Sequence, residues 1–332
     1  MKRGFAVLLG VTVLGTLAFG QQYPAVSEGR RIEMLQPPGK RPVRMVLDTD
    51  TYNEIDDQFA VVHALGSRGR LEVEAICAAP FYNDRSTDPG DGMDKSYEEI
   101  GRLLDRLGVS ADGLVFRGSR DYLASADVAQ PSDAATRIVE RALADDDRPL
   151  YVAAIGAITN VASAILQCPE IIERIVVVWL GGQPPHRRSA AEFNLRQDLH
   201  AARVVLDCGA PLVLLPCEGV TSHLLTTVPE IERHVAGCGA IGEYLAGIFK
   251  AYHDDHFAWS KVIWDIAATG WLVNPEWVPT ELAPSPILTD DVEWRHAADR
   301  HEIRVGTFVR RDGIFRDLFT KLAGASQPAK RL

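Results

Sequence analysis

From residue 43 onward, short runs of apolar and β-branched residues alternate with segments whose apolar residues recur at helical spacing. That alternation constrains the fold more than any other feature. Residues 43–47, 71–79, 114–116, 150–155, 174–180 and 212–215 read as strands, with a late strand at 301–310. Helices are expected over 56–66, 100–107, 132–143, 159–166, 198–206, 241–252 and 261–272. Asp56, Ser132 or Asp133, Thr159 and Asp198 stand where helix caps belong, and Gly209 where a helix stops. Strands that alternate with helices pair in parallel and are covered on both faces. The expected architecture is α/β: a single domain over residues 43–325, with a mostly parallel central sheet flanked by helices. No repeat or linker divides it. In open parallel sheets ligands bind beyond the carboxyl ends of the strands. The loops after Leu47, Ala79, Ile155 and Leu180 are therefore where chemistry should sit.

The first residues stand outside this pattern. Lys2 and Arg3 precede an apolar run to Phe19, and Ala18-Phe19-Gly20 offers a small-x-small cleavage pattern. Residues 1–20 read as a signal peptide, with an uncleaved anchor as the alternative. Residues 21–42, rich in Pro and Arg, read as an irregular lead-in. On this reading the mature protein is exported, periplasmic or secreted, and free of the membrane. Its formal charge moves from −10 to −12 once Lys2 and Arg3 are removed. An acidic chain without a basic cluster is not expected to bind nucleic acid or an anionic membrane. The five cysteines show no CxxC spacing, and an odd count leaves at least one free thiol. Cys77, Cys168 and Cys208 lie in apolar stretches and read as small buried hydrophobes.

The loop after the first strand carries the densest chemistry. Asp48, Asp50, Glu54, Asp56 and Asp57 place five carboxylates within ten residues. Carboxylates this crowded persist only if a cation neutralises them or some stay protonated. Oxygen donors without nearby thiolates favour a hard ion, Ca²⁺ or Mg²⁺. The plainer alternative is a solvated acidic turn with Asp56 as a helix cap. Further along, Glu192 and Asn194 lie two apart on what reads as an extended loop, so they point the same way and suit the grip of a diol.

Asp48-x-Asp50 followed by Asp56-Asp57 at a helix start resembles the N-terminal signature of the inosine-uridine-preferring nucleoside hydrolases. Ile155-Gly156-Ala157-Ile158-Thr159-Asn160, Gly181-Gly182 with Glu192-Phe193-Asn194, and Trp264-Asp265 resemble that family's later motifs, in order. The resemblance implies a calcium-dependent N-glycosyl hydrolase that releases base and ribose from ribonucleosides. It implies Ca²⁺ held by Asp50, Asp57, the main-chain carbonyl of Ile155, and Asp265. Asp50 would also be the base that activates water, with Asp48 supporting it. Asp56, Asn83, Glu192, Phe193 and Asn194 would bind the ribose, and Trp264, found in purine-preferring members, would stack on the base. His186 stands where the family tends to place a supporting Asn. Tyr82 and Tyr122 are candidates for lining the base pocket, and His223, His253 and His256 for donating a proton to the base. Family members commonly form homo-dimers or tetramers. One departure stands out: five residues separate Asp50 from Asp56 where the family usually has three.

Three rival readings remain. Asp48-x-Asp50 after a strand also suits aspartyl phosphatases, but those need Thr or Val where Tyr52 stands. A non-catalytic calcium and nucleoside or sugar binder on the same fold is the second. A hydrolase of another riboside is the third.

Overall fold

The computed structural model describes residues 23–325. The signal peptide expected over residues 1–20 lies outside the described residues. Among the described residues twelve strands occur in chain order: β1 (Val43–Thr49), β2 (Leu71–Ala78), β3 (Val115–Arg117), β4 (Leu150–Ala154), β5 (Ile175–Leu180), β6 (Leu212–Leu215), β7 (Leu225–Thr226), β8 (Lys261–Val262), β9 (Thr280–Pro284), β10 (Ile287–Leu288), β11 (Trp294–Arg295) and β12 (Glu302–Gly306). Eight of them form one sheet in the order β3-β2-β1-β4-β5-β6-β12-β9. Every pairing in it is parallel except the edge pair β12–β9. The mostly parallel α/β sheet read from the sequence is the one observed.

The central strands are buried throughout and mostly apolar because helices cover both faces. On β1, Met45 and Leu47 face one apolar layer with Phe59, Phe249 and Trp271. Val46 faces the other, with Ile165 and Trp179. The alternation follows from the two-residue period of a strand. Among the described residues no helix is long and apolar enough to cross a membrane. All five cysteines are free thiols; Cys77 and Cys208 are buried as expected, and Cys168 is half-buried.

The described residues also form eleven α-helices: α1 (Glu28–Met34), α2 (Asp57–Gly66), α3 (Pro89–Leu107), α4 (Asp133–Ala142), α5 (Thr159–Gln167), α6 (Phe193–Gln197), α7 (Leu199–Asp207), α8 (Val228–His234), α9 (Gly239–Ala251), α10 (Ile266–Val273) and α11 (Arg311–Ala325). Several depart from the sequence reading. The lead-in is not irregular throughout: Ser27 caps α1 by accepting from Arg30 N, and the buried Arg31 guanidinium donates to the carbonyls of Val26 and Gly209. Helix α3 starts eleven residues before residue 100, because Asp88 accepts from Asp91 N and Pro89 occupies the first turn. Its first turns are polar and so carry no apolar period. Residues 261–262 are a strand paired with β7 rather than the start of a helix, which begins at Ile266. Thr159 is not a cap; its hydroxyl donates to Asp198 Oδ2 at 2.8 Å, while Asp198 also caps α7. Asp56 stands at the N-cap of α2 but makes no cap hydrogen bond.

Candidate active site

The strand order reverses at β1. Strands β2 and β3 lie to one side of it, and β4, β5 and β6 to the other. Loops leaving β1 and β4 diverge there and open a crevice beyond their carboxyl ends. Ile155 N donates to the Asp48 carbonyl at 2.8 Å and sews the two loops together. Gly156 then lies directly against the Asp50 side chain; a Cβ there would fall 2.8 Å from Asp50 Cγ. Only glycine allows that approach.

Into this crevice the chain brings carboxylates from both ends of the sequence. Asp56, Asp57 and Asp265 offer oxygens that all lie within 4.8 Å of one another. Helix α2 begins at Asp57 and helix α10 follows Asp265, and the two helices pack together. Thr49 Oγ1 donates to Asp57 Oδ1 at 2.5 Å, and Trp264 N donates to Asp56 Oδ2 at 3.2 Å. Asp50 sits beside this trio with neither oxygen hydrogen-bonded. Asp48 Oδ1 accepts from Asn160 Nδ2 at 2.8 Å, while its Oδ2 is also unpartnered. All five carboxyls are buried.

Their protonation follows from that burial. Loss of water pushes Asp48 up to about 7, against the pull of the Asn160 hydrogen bond. Burial first, then the charges of Asp57 and Asp56, hold Asp50 well above the usual carboxylate range. Burial and the Asp56 charge do the same to Asp57 and Asp265. Among the described residues no Lys or Arg forms an ion pair with any of these five groups. Unpartnered buried oxygens, converging in an all-oxygen donor set, fit a hard divalent cation.

A cavity of about 260 Å³ opens over the cluster, lined by Asn53, Glu54, Asp56, Ile155, Leu180, Gln183, Glu192, Phe193, Asn194, Cys217, Glu218, Trp264 and Asp265. The Glu192–Asn194 segment is not an extended loop. Glu192 caps α6, accepting from Gly182 N, Asn194 N and Leu195 N at 2.8, 2.9 and 3.1 Å. The Cys217 thiol also hydrogen-bonds this carboxylate, so four donors hold Glu192 against the cavity. Asn194 Nδ2 donates to Ile155 O at 3.2 Å and Leu180 O at 3.0 Å, which leaves its Oδ1 as the acceptor for a ligand hydroxyl. A carbonyl has two lone pairs, so the Ile155 oxygen can serve Asn194 and a cation together.

Other expected residues lie elsewhere. His186 is exposed on the rim of a different cavity, and Gln183, three residues earlier, reaches the site in its place. Asn83 does not line the cavity; it donates to Asn53 O and Oδ1 at 3.2 and 2.8 Å and so holds a lining residue. Tyr122 is turned to Gln197. Tyr82 is largely exposed. His223 packs on Phe308, His253 on Trp259, and His256 bonds the Lys250 carbonyl.

The profile of the inosine-uridine preferring nucleoside hydrolases matches residues 89–316. The chain belongs to that family. The match begins downstream of the first acidic loop, so the place of residues 48–57 in the site rests on geometry. Non-specific ribonucleoside hydrolase RihC of Shigella flexneri is 30% identical over 146 residues, 42% of this chain and 46% of the relative. The chain thus spans about half the length of that curated relative. Among solved structures, a purine-preferring ribonucleoside hydrolase from Gardnerella vaginalis superposes with a TM-score of 0.67 at 20% identity, covering 85% of this chain and 99% of that one. A nucleoside hydrolase from Bacillus anthracis gives 0.61 at 16% identity, with coverage of 85% and 99%. These likenesses carry the fold.

Within this family member, sequence reasoning missed Asn160. Its Nδ2 holds Asp48 and the Ala78 carbonyl, while its Oδ1 accepts from Ser119 N and Oγ. One amide thus joins the ends of β1 and β2 to the loop after β3. The motif ending on Asn160 carries the only sequence signal for it. Asn53, Gln183, Cys217 and Glu218 were also missed, because no periodicity marks a cavity wall.

Proposed function

We propose that this chain is a calcium-dependent N-ribohydrolase that releases the base from ribonucleosides, with purine ribosides preferred. One observation carries the reading: Asp56, Asp57 and Asp265 meet from opposite ends of the sequence, with the unpartnered Asp50 beside them, beneath a cavity that also holds Glu192, Asn194 and Trp264. On this reading Asp50, Asp57, Asp265 and the Ile155 carbonyl would hold Ca²⁺, with Asp56 beside them. When bound, the ion supplies positive charge that keeps these carboxyls ionised and orients hydroxyls and water.

The remaining work belongs to side chains of this chain. Asp50, ionised and otherwise unpartnered, takes the proton of the attacking water. Asp56, Glu192 and Asn194 Oδ1 accept from ribose hydroxyls and hold the sugar as charge develops on it. The face of Trp264 meets the flat base. Export directed by residues 1–20 and assembly as a dimer or tetramer belong to the same proposal.

Ribose release from inosine, adenosine, guanosine and uridine by the purified full chain tests the reading. The expected result is turnover that is fastest on purines, abolished by chelator and restored by calcium. Turnover that persists in chelator, or none on any nucleoside with calcium present, overturns it.

A further inference from the structure

Of the five residues between Asp50 and Asp56, Asn53 and Glu54 line the cavity, and the structure shows how they are held. Arg85 donates to the Glu54 carbonyl at 2.9 Å and lies over the Tyr52 ring at 5.7 Å, gripping the loop from outside. Asn83 holds Asn53 by its carbonyl and its Oδ1, so the Asn53 amide is oriented and its nitrogen makes no hydrogen bond among the described residues. Lys261, itself buried, donates to Glu54 Oε2 at 2.5 Å and to the Val262 carbonyl at 3.0 Å. The Tyr252 hydroxyl also turns to the Glu54 carboxylate. A carboxylate has about four acceptor positions, so Glu54 keeps accepting capacity on its cavity side. The opposite wall is used up: the Gln183 amide is bonded at both ends, to Ala191 O and Glu218 N, and Glu218 is drawn to Arg187 at the surface.

We infer that the lengthened first loop reads the leaving base, Asn53 donating to a ring nitrogen and Glu54 accepting from a base N–H. This rests on the nucleoside reading above. The pair fits bases that carry a donor beside an acceptor on one edge, as adenine does at its exocyclic amino group. It disfavours a purine without any N–H on that edge, which would leave the Glu54 oxygen facing a C–H with no donor to accept from. A site built to bond a donor rejects the analogue that lacks it more strongly than an apolar pocket rejects a missing methylene. Lys261 is the positioning residue, since it fixes Glu54 from a strand three residues before Trp264.

Adenosine and purine riboside, which lacks the amino group, are compared on the calcium-loaded full chain, the intrinsic difference between leaving groups cancelling between variants. For the wild type, kcat/KM should favour adenosine by about 20-fold or more. Glu54→Gln keeps an oxygen for Lys261 and turns an amide N–H to the cavity, and it should narrow the ratio to about threefold or less. Asn53→Ala should lower both substrates by a similar factor, about tenfold, because both retain the ring nitrogens. A Glu54→Gln ratio within about twofold of the wild type overturns the inference. If no nucleoside turns over, the functional reading fails on its own, and calorimetric affinities for the same two nucleosides decide the base-reading question by the same ratios.

Discussion

The two ends of strand β1 bury charge in opposite ways. At its start Arg44, 2% exposed, donates to Glu74 at 2.7 and 3.1 Å and to the carbonyls of Arg141 and Arg148 at 2.8 and 3.3 Å, with Asp146 at 3.5 Å. At its end Asp48 and Asp50, fully buried, leave three of their four oxygens without a partner. Four residues of strand, roughly 13 Å, separate Arg44 from Asp48. Burying a charge is costly unless partners replace the lost water. Where partners are complete, the charge is scaffold. Where they are missing and like charges crowd in, the fold carries the cost for a ligand.

The contrast breaks most visibly at Asp57. Asp57→Ala should lower turnover by about 10³-fold or more by removing one group of the cation site. It should not lower the melting temperature in chelator, because it relieves repulsion among buried carboxyls. A large loss of cation-free stability would place Asp57 in the scaffold class instead. Arg44→Met should do the reverse, costing about 3 kcal/mol of unfolding free energy in urea titrations by leaving Glu74 and Asp146 less compensated. The folded fraction should keep its kcat; a specific loss of turnover would blur the division between the two ends.

A third prediction concerns pH. Asp48 is raised from 3.8 to about 7, so its protonated form is favoured in the folded state. The stability this gives is fully present below pH 3.8 and is lost as pH rises toward 7. Asp50, Asp57 and Asp265 shift in the same direction. In chelator the melting temperature should therefore fall across this window, and added calcium should raise it more at pH 8 than at pH 5. A calcium effect that does not grow with pH would contradict the assignment of the unpartnered oxygens to the cation. The smallest effect is expected at Asn160, whose amide satisfies Asp48 Oδ1 inside the unsatisfied end. Asn160→Ala should cost about 1–3 kcal/mol of stability, by releasing Asp48 Oδ1 and the Ser119 donors. Unchanged urea midpoints would show that water replaces the amide without loss.

The sequence made one end of β1 more legible than the other. The strand period, the apolar cover and the carboxylates after Leu47 were all readable, because burial imposes a period of two and repulsion makes an acidic run conspicuous. Asp265 could be tied to that loop only through the resemblance of Trp264-Asp265 to a family motif, since no local pattern brings residues so far apart together. Arg44 gave no signal, because a compensated charge is defined by partners at Glu74 and Arg141 that the fold supplies. The polar start of α3 and the strand at Lys261–Val262 were hidden for a similar reason. The first carries capping chemistry without apolar periodicity, and the second is two residues long and exists only through pairing with β7. The roles of Asn53 and Asn160 depend on side-chain hydrogen bonds between distant loops, which spacing cannot express.

Calorimetric titration of calcium into chelator-stripped protein tests the central claim most directly, run on the wild type and on Asp265→Asn. One binding event per chain in the wild type, lost or greatly weakened in the variant, is the predicted result. No binding at millimolar calcium, or equal binding by both proteins, would contradict a site closed by carboxylates from the two ends of the chain.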